Sequence, residues 1–99
     1  NKLYKVASGA NGDDTNWNEV CMKTIGHLMP GISVHYYAVR NWDDHGSATN
    51  FDAKTYYDNM ERALYMDELI TGHEKVMDKY DPKRKIDLLV DEWGTWWNE

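Results

Sequence analysis

Apolar and polar positions along the chain follow two periods in turn, and this predicts strands separated by helices. Residues 3–8 predict a first strand that ends before Gly9, and residues 9–16, rich in Gly, Asn and Asp, predict a loop. The second strand is predicted over 32–39, where β-branched and aromatic residues predominate, and the third over 86–90. Both later predicted strands have a length that is usual for strands in globular proteins.

Two helices are predicted between these strands. The first runs from about Trp17 to Leu28, with Thr15 or Asn16 as its N-cap. Its apolar positions are Val20, Cys21, Ile25 and Leu28. The second begins after Asp52, its N-cap, and reaches about Lys79. Its apolar stripe at helical spacing is Met66, Leu69, Ile70, His73, Val76, Met77 and Tyr80.

Strands that alternate with helices predict right-handed βαβ units and a parallel sheet, and therefore an α/β fold. A closed (β/α)8 barrel needs eight strands and about 250 residues, so three strands can form only part of one. The 99 residues contain no repeat and no low-complexity segment. We therefore expect residues 1–99 to be one piece of a larger α/β domain, without an internal boundary.

The third predicted strand ends in the chain's most informative motif. The apolar run Leu88-Leu89-Val90 is followed by Asp91 and Glu92 and then by a cluster of tryptophans. A glutamate at the C-terminal tip of a barrel strand lies where barrel enzymes build active sites. Glycosidases need carboxylates there and flat aromatic faces for sugar rings. The alternative, a solvated acid beside tryptophans that fill a core, is about equally favoured by these residues alone.

The second strand supplies a candidate neighbour for this glutamate. Period two places Ser33, His35, Tyr37 and Val39 on one face, and Ile32, Val34, Tyr36 and Ala38 on the other. Tyr37 lies near the C-terminal end of the strand, so a barrel-facing Tyr37 would approach Glu92. Its phenol could then hydrogen-bond the carboxylate, whereas a tyrosine packed in the barrel wall remains the alternative.

The composition argues against several classes of function. The formal net charge of -6 argues against a nucleic-acid partner, whose phosphates require a basic face. No apolar run is long enough to span a membrane, and a single cysteine cannot form an internal disulfide. Five Trp and seven Tyr are many for this length but fill cores first, so they only weakly favour a sugar-binding surface.

The other candidate motifs give little information about function. The sequence contains no nucleophile elbow, P-loop, dinucleotide fingerprint or H-E-x-x-H zinc motif. Residues 42–45, Trp-Asp-Asp-His, offer metal ligands in one short loop, but a solvated acidic loop is the favoured interpretation. His27 near a helix end and His73 on the apolar stripe are both interpreted as structural.

Three motifs occur in order: 31–37, Gly-Ile-Ser-Val-His-Tyr-Tyr; 64–70, Leu-Tyr-Met-Asp-Glu-Leu-Ile; and 90–96, Val-Asp-Glu-Trp-Gly-Thr-Trp. Together they resemble the α-L-arabinofuranosidases of glycoside hydrolase family 51. The similarity extends over essentially the whole chain, including 9–14 and 77–82. It implies a retaining glycosidase on a (β/α)8 barrel, of which this chain would supply about strands five to seven.

The resemblance also implies roles for individual residues. Glu92 matches the family's catalytic nucleophile, Tyr37 the tyrosine that contacts nucleophile and sugar, and Trp96 an aromatic of the substrate pocket. His35 is carried over as a barrel-facing neighbour that contacts substrate. The family's acid/base glutamate follows a Gly-Asn motif that this chain lacks, so that residue is expected outside it.

A glycosidase of this kind needs no metal and no organic cofactor. The expected partners are an arabinose-containing oligosaccharide or polysaccharide and the remainder of the parent enzyme, and the resemblance allows a homo-oligomer. Two alternatives remain: another barrel glycosidase, such as a family 51 endoglucanase, and a non-catalytic carbohydrate-binding protein. The latter would use an aromatic platform of Trp42, Trp93, Trp96 and Trp97.

Overall fold

The computed structural model describes residues 3–99. Over this range the chain forms a β–α–β–α–β unit with a short 3-10 helix after the first helix. The elements are β1 (Val6–Asn11), α1 (Thr15–Ile25), the 3-10 helix (Gly26–Leu28), β2 (Gly31–Tyr37), α2 (Ala53–Tyr80) and β3 (Asp87–Gly94). The predicted number, type and order of strands and helices are confirmed for these residues.

The strands lie in the order β1-β2-β3, and both pairs are parallel. Both helices cover the same face of the sheet, because Met22 of α1 and Met77 of α2 share one buried cluster with Ile32 of β2. Sequential strand order with helices on one face is the arrangement found in a (β/α)8 barrel. The predicted α/β fold with a parallel sheet is confirmed.

The core lies between the sheet and the two helices. Ile32 and Val34 are fully buried, and Ala38 is nearly so. Leu69, His73 and Met77 of the predicted α2 stripe are buried as well. The opposite face of the sheet carries Ser33, His35 and Tyr37, so the predicted division of β2 into two faces is confirmed.

The prediction that Gly9 ends the first strand is wrong. β1 runs from Val6 to Asn11, and the connection to α1 is only residues 12–14. Gly9 is needed inside the strand, because a Cβ there would lie 1.4 Å from the carbonyl oxygen of Ser33. A glycine within a strand often marks such a close backbone approach.

The predicted limits and apolar face of the first helix also need correction. α1 begins at Thr15, and Asp14 is the N-cap, its Oδ1 accepting a hydrogen bond from the Trp17 amide. The buried positions are Asn18 and Met22. The predicted apolar positions Val20, Ile25 and Leu28 are exposed, and Cys21 is half-buried. Asn18 was overlooked because it is polar, yet its buried amide donates to His73 Nδ1 at 3.0 Å.

The remaining boundaries differ by a few residues. The Asp52 cap of α2 is confirmed, with Asp52 Oδ1 accepting from the Thr55 amide at 2.8 Å. β2 ends at Tyr37 rather than at residue 39. β3 continues to Gly94 instead of stopping at residue 90, because Glu92, Trp93 and Gly94 still pair with β2.

Candidate active site

An irregularity in β3 turns Glu92 onto the open face of the sheet. Val34 of β2 pairs with Val90, but the next residue, His35, pairs with Glu92, so Asp91 is one extra residue in β3. In a regular strand Glu92 would share the helix-covered face with Val90, two positions away. The bulge shifts the alternation by one and places Glu92 beside His35.

β1 carries a matching irregularity. Between Ala7 and Ala10 it advances three residues while β2 advances two, from Ile32 to Val34. The amide of Gly9 donates to Ser33 Oγ at 2.9 Å at this point. A cleft of about 380 Å³ opens on this face, lined by Val6, Ala7, Ser8, Ser33, His35, Asp91 and Glu92. Both flanking strands therefore carry an extra residue beside this cleft.

Tyr37 and Glu92 are in direct contact. The Tyr37 hydroxyl donates a hydrogen bond of 3.0 Å to Glu92 Oε1. This bond to the carboxylate raises the pKa of the Tyr37 phenol, with smaller contributions from burial and from the negative charge of Glu92. A phenol with a raised pKa remains a hydrogen-bond donor throughout the neutral range. The predicted proximity of Tyr37 and Glu92 is confirmed, although Glu92 precedes the end of β3 by two residues.

His35 lies between two carboxylates. Its Nε2 is 2.9 Å from Asp91 Oδ1, and its Nδ1 is 3.5 Å from Glu92 Oε2. The side chain of His35 is 30% exposed, whereas Glu92 and Asp91 are about half exposed. The structure thus brings together His35, Tyr37 and Glu92 as predicted from the sequence, and adds Asp91.

Trp96 extends the site beyond the carboxylates. Its ring centroid is 5.6 Å from that of Tyr37 and 5.3 Å from that of His45. Trp42 packs edge-on against Trp96 at 6.3 Å. Trp96 and Trp42 are 52% and 59% exposed, so their rings are available to a ligand. A half-exposed aromatic next to a carboxylate suits the binding of a sugar ring.

His45 and Asn98 were not predicted to belong to this region. Asn98 accepts a hydrogen bond from the His45 amide through Oδ1 at 3.1 Å and donates to Asp44 Oδ1 at 2.9 Å. The backbone N–H of Asn98 also donates to the Gly46 carbonyl oxygen, at 2.9 Å. The loop between β2 and α2 is thereby tied to the segment after β3. Loops that follow parallel strands converge at one edge of the sheet, and this signal could have identified both residues.

The other candidate residues lie elsewhere. Trp93 pairs with Tyr36 on the helix-covered side and lines a groove against α2, away from Glu92. Trp97 lines a separate pocket with Phe51 and Thr55. His73 is buried, its Nε2 2.8 Å from the Gly12 carbonyl oxygen, which agrees with the predicted structural role. His27 lies in the 3-10 helix that precedes β2, and it lines a different pocket with Tyr80 and Lys85.

Residues 3–99 contain neither a cluster of metal ligands nor a membrane-spanning helix. No group of three or more His, Cys, Asp or Glu side chains in this part of the chain could hold a metal ion, the 42–45 loop included. No helix here combines the length and apolar character needed to cross a bilayer.

Comparisons with known proteins show which proteins this chain resembles. The chain is 48% identical over 100 residues to a Bacteroides ovatus protein named intracellular exo-alpha-L-arabinofuranosidase. The alignment covers 100% of this chain and 20% of that protein. A crystal structure of the arabinofuranosidase of glycoside hydrolase family 51 from Xanthomonas axonopodis pv. citri superposes with a TM-score of 0.94 at 46% identity, covering 98% of the chain. The chain is similar throughout to part of a family 51 arabinofuranosidase.

The similarity covers nearly all of this chain but only a small part of each relative. The chain spans only about a fifth of the length of either relative, 20% in each case. Within that fifth, the chain aligns over its whole length at 48% identity with the first relative, and 98% of it superposes on the second with a TM-score of 0.94. No protein-family model matches the chain. Both relatives are named as arabinofuranosidases, which are glycoside hydrolases.

Proposed function

We propose that this chain supplies the nucleophile side of the active site of a retaining α-L-arabinofuranosidase. The observation that carries the proposal is the Tyr37 hydroxyl held 3.0 Å from Glu92 Oε1 on the open face of a parallel sheet. The whole-length similarity to two arabinofuranosidases supports it. The enzyme would release terminal arabinofuranosyl residues from arabinan- or arabinoxylan-type oligosaccharides and polysaccharides.

The proposed reaction is a double displacement. The Glu92 carboxylate attacks the anomeric carbon while a second carboxylic acid, outside this chain, protonates the departing glycosidic oxygen. This yields a glycosyl ester on Glu92 and releases the rest of the substrate. The second carboxylate then takes a proton from water, which attacks the anomeric carbon, frees Glu92 and gives a product of retained configuration. Neither step needs a metal or an organic cofactor.

Three neighbours are proposed to bind the sugar. Tyr37 orients the Glu92 carboxylate and contacts the ring, and the indole of Trp96 packs against an apolar sugar face. Both nitrogens of His35 face carboxylates, so His35 would contact the sugar through its ring carbons. Residues 1–99 would then form a single part of the catalytic barrel without a domain boundary. Binding to the remainder of the enzyme and homo-oligomer formation belong to the same proposal.

The decisive experiment replaces Glu92 by Ala in the natural full-length polypeptide, with an aryl α-L-arabinofuranoside as substrate. We expect almost complete loss of turnover, because no other group can form the glycosyl-enzyme ester. Added azide should partly restore cleavage by entering from the face that Glu92 vacates, giving a glycosyl azide of inverted configuration. Both the rate and the configuration of the product are measured.

The control is Glu68→Ala, which removes an exposed glutamate of α2. It should leave the rate unchanged. Near-normal activity of the Glu92 variant would overturn the nucleophile assignment. Faster cleavage of an aryl β-glucoside than of the arabinofuranoside by the unmodified protein would instead favour a family 51 endoglucanase.

A further inference from the structure

The role proposed for Glu92 leaves its neighbour Asp91 without a function. Asp91 is the extra residue of β3, and it points to the same open face as Glu92. Its Oδ1 lies 2.9 Å from His35 Nε2, on the opposite edge of the ring from Glu92 Oε2, which is 3.5 Å from Nδ1. One imidazole therefore bridges two consecutive carboxylates.

This arrangement orients the His35 ring. Ionised carboxylates only accept hydrogen bonds, so they favour a ring N–H turned toward them. The contact of Nε2 with Asp91 is the shorter of the two, at 2.9 Å, and it leaves the Nδ1 edge of the ring facing Glu92.

The two oxygens of Glu92 have different neighbours. Oε1 accepts a hydrogen bond from the Tyr37 hydroxyl, and Oε2 faces His35 Nδ1 at 3.5 Å. Neighbours beside both oxygens restrict the rotation of the carboxyl group.

We propose that Asp91 is a positioning residue for Glu92 and acts through His35. Asp91 holds the Nε2 edge of the His35 ring, so that the Nδ1 edge stays against Glu92 Oε2. The bulge in β3 makes this possible because it places Asp91 and Glu92 on one face. This inference rests on the proposed role of Glu92 as nucleophile, and it assigns Asp91 no contact with substrate.

The charges around His35 are few. Among the described residues, the lining of the cleft from β1 is Val6, Ala7 and Ser8, none of which titrates near neutral pH. β2 contributes Tyr37, whose proton is engaged with Glu92. β3 contributes Asp91 and Glu92. Apart from Glu92 itself, Asp91 is therefore the charged group of the cleft that can hold His35 in place.

The test is a double-mutant cycle in the natural full-length polypeptide, with kcat and KM for an aryl α-L-arabinofuranoside measured for each variant. Asp91→Asn keeps the size of the side chain and removes its charge. We expect kcat to fall about tenfold, with little change in KM, because a charge-assisted contact is lost away from the sugar.

The cycle separates action through His35 from direct action. His35→Gln should lower kcat, and adding Asp91→Asn to it should cause no further loss. Asp67→Asn, which changes an exposed acid of α2, is the matched control and should change neither kcat nor KM. Multiplied losses in the double variant, or an Asp91→Asn kcat equal to that of the control, would overturn the proposal.

Two further measurements keep the result decisive. If Asp91→Asn unfolds below the assay temperature, Asp91→Ser takes its place in the cycle with the same expectations. Nuclear magnetic resonance of the histidine side chains, with His35→Gln used to assign the signals, reports whether the His35 ring holds one orientation, without any activity. Averaging of the ring over several orientations in the Asp91 variant supports the inference even if the protein cleaves no arabinofuranoside, and an unchanged single orientation contradicts it.

Discussion

The hydroxyl of Tyr37 is the group that the structure ties most directly to the Glu92 carboxylate. Their 3.0 Å hydrogen bond joins neighbouring parallel strands, and it raises the pKa of the phenol because the carboxylate accepts its proton. Tyr37 also touches Trp96, with 5.6 Å between the ring centroids. One side chain therefore links the proposed nucleophile to the aromatic surface proposed to bind sugar.

Replacing Tyr37 by Phe keeps the ring against Trp96 and removes only the hydroxyl. We expect kcat/KM for an aryl arabinofuranoside to fall about ten- to a hundredfold, the range for losing a hydrogen bond to a charged group. Tyr57→Phe is the control, because Tyr57 is 69% exposed on α2. Equal rates for the two variants would show that the contact does not matter for the reaction.

Gly9 in a strand and Gly72 in a helix allow the same substitution to be compared in two kinds of element. Gly9 lies in β1 with the Ser33 carbonyl where a side chain would be, whereas Gly72 lies inside α2 and a Cβ there would meet Thr15 Cγ2 at 3.8 Å, an ordinary contact. The same substitution should thus have opposite effects in the two elements.

Gly9→Ala should lower the melting temperature of the natural full-length polypeptide strongly, because β1 must move away from β2 to admit the methyl group. Gly72→Ala should raise the free energy of unfolding by roughly 0.5–1 kcal/mol, since alanine loses less conformational freedom in a helix. Calorimetry or circular dichroism measures both. A stable Gly9 variant would contradict the close packing of the two strands.

The cap of α2 predicts a dependence on pH. The backbone N–H and then the hydroxyl of Thr55 lower the pKa of Asp52 by hydrogen-bonding its ionised form. A carboxyl whose pKa is lower in the folded state stabilises the fold fully above its unfolded pKa. That stabilisation is lost as pH falls through the folded value.

Asp52→Ala should therefore destabilise the protein at neutral pH and do so less and less as the solution is acidified. Urea unfolding at several pH values measures the difference. Asp67→Ala, within the same helix and away from its ends, serves as the control. A difference that is constant with pH would argue against the cap.

Taken together, the three strands and two helices form an open unit. The radius of gyration is 16.0 Å, against about 13 Å for a compact domain of this length. The accessible surface of 7113 Å² exceeds the roughly 5,800 Å² expected for this mass. Large apolar side chains are exposed on it, among them Leu3, Leu28, Leu64 and Trp93.

We expect residues 1–99 expressed alone to bind a hydrophobic dye and to unfold without a sharp transition, because this apolar surface is left in water. The natural full-length polypeptide, studied in the same buffer, is the reference. A cooperative thermal transition of the 99-residue chain as a monomer would contradict the expectation.

Local patterns were sufficient for the architecture. The spacing of Leu69, His73 and Met77 identified the buried stripe of α2, and the alternation along 32–38 identified both faces of β2. Asp52 was recognisable as a cap because capping depends on residues next to each other in the chain. These features arise from helix and strand periods, which any segment carries in its own residues.

Register between strands was not accessible in this way. Continuing the alternation from Leu88 would have placed Glu92 on the helix-covered face, and only the pairing of His35 with Glu92 shows that Asp91 is extra. The same holds for Gly9, whose place inside β1 depends on the Ser33 carbonyl of the next strand. Strand pairing joins residues far apart in the chain, so the orientation of the proposed nucleophile was decided by tertiary contacts.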